Sequence, residues 1–408
     1  MFKTIKLCRV CNNKKIILLL NLGKQPLANG LLNKNQIKNE SKFPLELVIC
    51  GNCRLIQLKH TVKPSLLFRS YFWVTGTSEK VYNYRDFFFR KVNKILNNKN
   101  NFICEIASND GFFLEIFKKK NVVLGVDPAK NLIKISKKKG IPSLNAYFDL
   151  KTAKNIVKKN TNADLVICRN VIPHIENIKQ VMRGLRYLLH EDGTGVIEFH
   201  DASNILKNLH YDYIYHEHIF YFTLNSMTKT LEKFGLYVFD YFLSPISGGS
   251  YVVLFKKHKI KKSLNLIKRL NSEKKNYLED INEWKKLNQL CENHKENLIS
   301  KIFEFIKKDK KIFAYGASAR SSTLINYIGL DYKIINKIFD KNTFKIRKYT
   351  PGSHINICLP KVHLLKRADL LILFAWNFKD EVFKYLKTIN YKGEVLLPLP
   401  KIHCSRIK

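Results

Sequence analysis

Four short apolar runs, FICEIASNDG, VVLGVDPA, ADLVICRNVI and GTGVIEFHDA, follow one another between Phe102 and Ala202, and each gives way to polar or helix-forming sequence. That alternation predicts a mainly parallel sheet with crossover helices, an α/β fold. It restarts at KKIFAYGASARSS and runs on through KIFD, ADLLILFAWN and GEVLLPLP, which predicts a second α/β domain. Between the two, residues 260–310 are rich in Lys, Glu, Asn and Leu and lack Pro and Gly, and so read as plain connecting helices; Ser78–Leu96 also reads as helix. The expected division is a cysteine-bearing module at 1–65, an α/β domain at 66–258, a helical connector at 259–310 and a second Rossmann-like α/β domain at 311–408, within what 408 residues can bury.

The first part carries two CxxC pairs, Cys8 with Cys11 and Cys50 with Cys53. FPLELVICGNC reads as a strand entering a tight knuckle, and LGKQPLANG as a turn-rich stretch. Four thiolates from two knuckles are what a closed, structural zinc ion requires, and closed coordination leaves no position open for chemistry. Cys104 and Cys168 fall inside predicted strands and read as inert core.

The formal net charge is +39, a value that suggests nucleic acid or an anionic surface. Lys outnumbers Arg more than fourfold, however, and is scattered along the chain with Asn and Ile instead of being gathered on one element. Arg is the better residue for forked phosphate recognition, so the surplus reads as solvated surface that helps to hold an anionic small molecule, with no nucleic-acid partner. No apolar run reaches the roughly 18 residues of a spanning helix. The start MFKTIKLCRVC lacks the layout of a signal peptide, so the expected location is the cytoplasm without membrane insertion, as a monomer or weak dimer.

The loop EIASNDG joins a predicted strand to a helix starting near Phe112. Ala107, Ser108 and Gly111 are small enough for close backbone approach, but Glu105, Asn109 and Asp110 do not suit a phosphate cradle, which prefers bare glycines and backbone donors. Acids suit a cofactor bearing an ammonium and ribose hydroxyls, as S-adenosylmethionine does. Sixteen residues beyond Gly111, Asp127 ends the strand VVLGV, where a ribose-binding acid belongs.

The stretches CRVC with CGNC, LGKQPLANG, FPLEL, EIASNDGFFL, RNVIPH, YIYHEHIFYF, SGGS and YGASARSSTLIN, in that order over almost the whole chain, give it a resemblance to the sugar C-methyltransferase family. The resemblance implies a zinc module, a class I methyltransferase domain and a C-terminal α/β domain. It also implies S-adenosylmethionine as donor and a nucleotide-diphosphate keto-sugar as acceptor, methylated on the carbon beside the ketone. By matching positions it assigns Glu105, Asn109, Asp110, Gly111, Asp127 and Asn170 to the donor, and His174, Tyr215, Glu217, His218 and Tyr71 to the chemistry. The chain departs from the pattern at Trp73, where a second phenol is expected, and at Ser247, where His is common.

The chemistry itself demands a base for the carbon and a donor for the enolate oxygen. His218 is the expected base, with Glu217 orienting it or sharing the proton, and with Tyr215, His174 or Tyr71 donating to the enolate. A strand over YIYHEHIFYF would put Tyr215 and Glu217 on one face and His216 and His218 on the other, so the segment is expected to be a loop or turn. Histidines two apart cannot share a helix face, which argues against a zinc hydrolase. His200, Asp201 and His210 lie where an α/β sheet places ligands, and either line the acceptor site or are exposed loop polars. In the second α/β domain Gly316 stands alone as a weak dinucleotide fingerprint and Asp340 occupies a ribose-acid position; Ser318, Arg320, Ser321 and Ser322 at a helix start either hold a diphosphate or belong to a purely architectural lobe. Methylation of a sugar oxygen or nitrogen, and a non-catalytic scaffold on the same fold, remain as rival readings.

Overall fold

The computed structural model describes residues 1–67, 75, 79–96, 100–244, 249–276 and 278–407. The N-terminal module contains β1 (Phe2–Thr4), β2 (Ile16–Pro26), β3 (Lys42–Cys50), β4 (Ile56–Leu58) and β5 (His60–Val62). The stretch read as turn-rich is largely strand: β2 continues through Leu22, Gly23, Lys24 and Gln25 to Pro26, and only residues 27–30 turn. Two register shifts against β3 absorb the irregular sequence, and β2 is an edge strand, where a proline's missing N–H costs no ladder bond.

The middle of the chain supplies β6 (Phe102–Ile106), β7 (Val122–Asp127), β8 (Ser143–Asn145), β9 (Ala163–Arg169), β10 (Leu189–His200), β11 (Phe220–Tyr221), β12 (Tyr237–Ser244) and β13 (Ser250–Lys256). Seven of these form one sheet in the order β12-β13-β10-β9-β6-β7-β8. From β8 to β10 every pairing is parallel, while β13 runs antiparallel to both of its neighbours. This is the Rossmann-like topology of class I methyltransferases. All five residues of β6 are buried, as a central parallel strand covered on both faces requires. The helix Ile178–Leu188 covers one face with Ile178, Val181, Met182, Leu185 and Leu188, the stripe expected of helical periodicity. Strand β8 gave no apolar signal because none of its residues is fully buried.

The C-terminal domain holds β14 (Ile312–Tyr315), β15 (Ile338–Phe339), β16 (Ile357–Cys358), β17 (Leu370–Leu373), β18 (Glu394–Leu397) and β19 (His403–Arg406), ordered β16-β15-β14-β17-β18-β19. All pairings are parallel except the last. Chain order reverses between β14 and β17, which opens a crevice at their carboxyl ends. The helix Leu287–Ile306 buries Leu287, Cys291, His294, Leu298 and Ile302. Its apolar stripe lies in one continuous core with Leu20 and Leu47 of the N-terminal sheet and with Ile312 and Ile372 of the C-terminal sheet. Strand β11 leaves the middle of the chain altogether: it pairs with β4 and so completes the N-terminal sheet. Among the described residues, no helix is long and apolar enough to cross a membrane.

Candidate active site

The loop after β6 has left-handed backbone at alternate positions: Ala107 at φ 56°, Asn109 at 54° and Gly111 at 74°. Only glycine adopts such angles without strain, so two non-glycine residues hold this loop at a conformational cost. The gain is close approach. A Cβ on Gly111 would lie 2.5 Å from Ser136 Oγ, and one on Gly125 2.5 Å from Ser108 Oγ. Asp127, at the end of β7, accepts from the Asn109 N–H at 3.0 Å and the Ala129 N–H at 2.8 Å, one bond on each oxygen. A carboxylate has about four acceptor sites, so two remain for ribose hydroxyls.

Glu105 is buried and receives Arg169 Nε at 3.1 Å on one oxygen, while its other oxygen has no protein partner. Burial raises its pKa to about 7 against the pull of Arg169. Arg169 stands between Glu105 and Glu198 on three adjacent strands, its guanidinium 3.1 Å over the Phe113 ring. Asp110 differs from expectation, because it pairs with Lys139 at 2.6 Å instead of standing free for an ammonium. Asn170 opens the loop after β9 at φ 51° and donates its N–H to Glu198 O. These residues fit the donor: Glu105 and Asp127 would hold its ammonium and ribose, beside the close-packed backbone of the loop.

The segment Tyr215–His218 is a loop, as the face argument requires, and it separates its side chains. Tyr215 Oη lies 2.9 Å from His218 Nε2, and the two rings are 4.1 Å apart. His218 Nδ1 lies 3.2 Å from Tyr213 O. A carbonyl only accepts, so Nδ1 carries the proton and Nε2 the lone pair. Glu217 does not orient His218. Its Oε1 accepts from Asn29 Nδ2 at 3.1 Å, and its Oε2 is buried without a partner. The orienting group is the Tyr213 carbonyl. His216 points away, its ring 6.0 Å from that of Phe43. His174 packs edge-on to His218 at 4.7 Å. Burial pushes His218 well below 6.5 and His174 down to about 4, so both are neutral near pH 7. Tyr71 lies outside the described residues, as do Trp73 and Ser247.

His200, Asp201 and His210 are buried, not exposed loop polars. At the start of the C-terminal helix Ala319–Ile328, the side chains of Ser318, Arg320 and Ser321 are engaged within the protein and not held ready for a diphosphate. Ser318 and Ser321 cap each other, and Arg320 grips Asp212 with both arms at 3.0 and 2.9 Å. Asp340 accepts from the Ala317 N–H at 3.0 Å and Lys345 Nζ at 2.9 Å, so its carboxylate fills the place of a bound anion.

The sulfurs of Cys8, Cys11, Cys50 and Cys53 all lie within 4.8 Å of one another, with Cys8 to Cys53 at 3.7 Å and Cys11 to Cys50 at 3.4 Å. A tetrahedron with metal–sulfur bonds of ~2.3 Å has edges of about 3.8 Å, so the set fits zinc. Gln57 Nε2 donates to Cys8 Sγ and the Asn52 N–H to Cys50 Sγ, each at 3.4 Å. The contacts of Asn29, Arg169 and Tyr213 were missed from sequence, although Asn29 lies in LGKQPLANG and Arg169 directly precedes Asn170.

Three family matches span the chain: a zinc binding domain at residues 8–68, a methyltransferase domain at 81–240 and the C-methyltransferase C-terminal domain at 245–400. The chain is 29% identical over 402 residues to the C-methyltransferase NovU of Streptomyces niveus, covering 97% of this chain and 95% of that protein. Among solved structures, the magnesium protoporphyrin IX methyltransferase of Synechocystis with bound SAM matches at 12% identity and a TM-score of 0.33, over 43% of this chain and 80% of that one. An S-adenosylmethionine-dependent methyltransferase of Clostridium acetobutylicum matches at 16% and 0.34, over 44% and 92%. Neither of these two structural likenesses bears on the site.

Proposed function

We propose that this chain, which belongs to the S-adenosylmethionine-dependent C-methyltransferases with a zinc-binding module, methylates a nucleotide-activated keto-sugar on the carbon beside its ketone, by way of an enolate. The observation that carries the reading is the pair of contacts on His218. With Nδ1–H held by the Tyr213 carbonyl, Nε2 is the basic nitrogen, and the Tyr215 hydroxyl lies on it at 2.9 Å. A neutral imidazole can take the C–H proton at Nε2 once the hydroxyl turns to the acceptor, where it donates to the developing enolate oxygen. His174, also neutral, is a second donor to that oxygen. Glu217 is held by Asn29 and acts as a positioning group that fixes the loop between Tyr215 and His218.

When bound, the donor supplies a methyl group on a positively charged sulfur that leaves as a neutral thioether. The acceptor's proton goes to His218 Nε2 as its C–H electron pair becomes the C=C bond of the enolate and the C=O pair moves to the oxygen; the C=C pair then forms the bond to the methyl as the oxygen pair restores the ketone.

The test separates proton abstraction from transfer. With S-adenosylhomocysteine in place of the donor, the enzyme should exchange the acceptor's α-hydrogen for solvent deuterium, and His218→Ala should slow that exchange by about 10²–10⁴-fold. Product mass spectrometry and NMR should place the methyl on carbon. A methyl found on oxygen, or unchanged exchange in His218→Ala, rejects the enolate route.

A further inference from the structure

His200 ends β10 and His210 opens the turn that leads to Tyr215. Both are 4% exposed, and both nitrogens of His200 and Nδ1 of His210 are enclosed without any hydrogen-bond partner. Polar atoms enclosed in this way are normally satisfied, so three unmatched ring nitrogens in one place mark a site for something that brings donors and acceptors. The other walls are defined. Tyr213 packs on His200 with ring centres 4.0 Å apart, and Trp376 packs on His210 at 4.7 Å. Arg320 lies 4.6 Å over Trp376 and 5.5 Å over Tyr213. Trp376 follows β17 and Arg320 follows β14, which places both at the crevice where the C-terminal sheet reverses order.

The chemistry of these walls selects a class of ligand. Burial and the adjacent Arg320 charge keep both imidazoles neutral. A neutral imidazole offers one N–H and one lone pair, the complement of hydroxyl groups, each of which also gives and takes. Asp212 consumes the only guanidinium charge named here, and the Trp376 indole N–H goes to the same carboxylate at 3.0 Å. No unpaired cation in this set awaits a phosphate. Aromatic faces with a few fixed polar groups suit an uncharged polyhydroxylated ring. The cluster also adjoins the candidate base, because Tyr213 is shared: its ring is 4.0 Å from His200 and 4.3 Å from His218.

We infer that His200 and His210 form the subsite that reads the ring hydroxyls of the acceptor sugar, and so determine which keto-sugar is methylated. This rests on the functional reading above and adds to it where the uncharged part of the acceptor lies. The diphosphate binds elsewhere.

Calorimetric titration of the zinc-loaded, S-adenosylhomocysteine-saturated protein tests it, with thymidine, uridine, guanosine and cytidine diphosphate keto-sugars and with the four bare nucleoside diphosphates. His200→Leu and His210→Leu should each weaken the keto-sugar that wild type binds by at least tenfold, while the matching nucleoside diphosphate and S-adenosylhomocysteine stay within twofold. Should a leucine variant lose S-adenosylhomocysteine binding, His200→Gln and His210→Gln replace it. These keep a donor and an acceptor in new positions and should change the ranking among sugars epimeric at the ring hydroxyls. Binding of the keto-sugar within twofold of wild type in the variants, with unchanged ranking, overturns the subsite alone. Failure of wild type to bind any keto-sugar overturns the functional reading and the subsite together.

Discussion

The candidate donor loop and the candidate catalytic segment are built in opposite ways. Residues 105–111 are held within one domain: the Ser108 N–H bonds Val126 O, the Asn109 N–H bonds Asp127, and the side chain of Gly111's neighbour Asp110 reaches Lys139. Residues 210–221 are held by three. The zinc module pairs Phe220 with Gln57 and Tyr221 with Ile56, and sends Asn29 to Glu217. The C-terminal domain grips Asp212 through Arg320 and Ile214 O through Thr323 Oγ1. The methyltransferase domain contributes Pro173 O to the Ile219 N–H and the ring of His174 to His218. On the proposed reading, donor binding is therefore a property of one domain, whereas proton abstraction would depend on all three remaining in register.

The largest expected effect breaks the two apart through the metal. Structural zinc contributes about 10–16 kcal/mol of apparent binding energy that is also folding energy. Strand β4, which carries β11, lies directly after Cys53. Removing zinc with a chelator, or Cys50→Ser, should lower methyl transfer by more than about 100-fold and leave S-adenosylhomocysteine affinity within about threefold, since none of the residues assigned to the donor belongs to the module. Transfer and calorimetric binding measured on one sample decide it; equal loss of both would show that the donor site also leans on the zinc module.

Asp212→Ala attacks the segment from the other side. It leaves the Arg320 guanidinium, whose side chain is 13% exposed, without its carboxylate, a loss of about 3–5 kcal/mol in unfolding free energy. Asp110→Ala is the control on the donor side. Lys139, 29% exposed, can turn to solvent, so the loss there should be smaller, about 1 kcal/mol. Urea unfolding of the two variants ranks them, and the opposite ranking would contradict the asymmetry.

Parts of this arrangement could be read from sequence because they are local. Two CxxC knuckles, a strand followed by EIASNDG and an acid ending the next strand each declare themselves within a few residues. The argument that Tyr215 and His218 cannot share a strand face needs only side-chain alternation. The rest was hidden by sequence distance. Asn29 and Glu217 are 188 residues apart, and Arg320 and Asp212 are 108 apart, so neither pairing leaves a local trace. Glu217 was expected to orient His218 because they are adjacent in sequence, yet a backbone carbonyl does it, and carbonyls carry no sequence signal. The serines at the start of the C-terminal helix looked available for phosphate because their capping of one another depends on backbone geometry.

Asn29→Ala sharpens the distinction at one contact. Glu217 would lose its donor while staying 4% exposed, an unsatisfied buried group costing about 1–3 kcal/mol. If the whole of that cost were felt in the transition state, kcat would fall by about 5- to 150-fold with unaltered S-adenosylhomocysteine binding. The pH dependence of kcat provides a parallel check. On the proposed mechanism the active form of His218 is neutral, and burial moves its pKa well below 6.5, so the rate should hold as the pH falls through 6.5 and drop only at more acid pH. A base titrating at 6.5 would already have lost about tenfold at pH 5.5.

The smallest effect probes the strain in the donor loop. Ala107 sits at φ 56°, where an L-residue other than glycine costs about 1–2 kcal/mol. Ala107→Gly removes that strain but restores about 0.4–1 kcal/mol of chain entropy to the unfolded state. The two terms partly cancel, and the expected result is a gain of about 0–1.6 kcal/mol, seen as a higher urea midpoint at constant m-value. Donor affinity should stay within twofold if the loop is shaped by Asp127 and the Asn109 N–H, which the substitution leaves in place. A tenfold loss of S-adenosylhomocysteine binding would mean instead that the loop is shaped by the restricted backbone of residue 107, and that conformational strain, not the carboxylate of Asp127, sets the donor site.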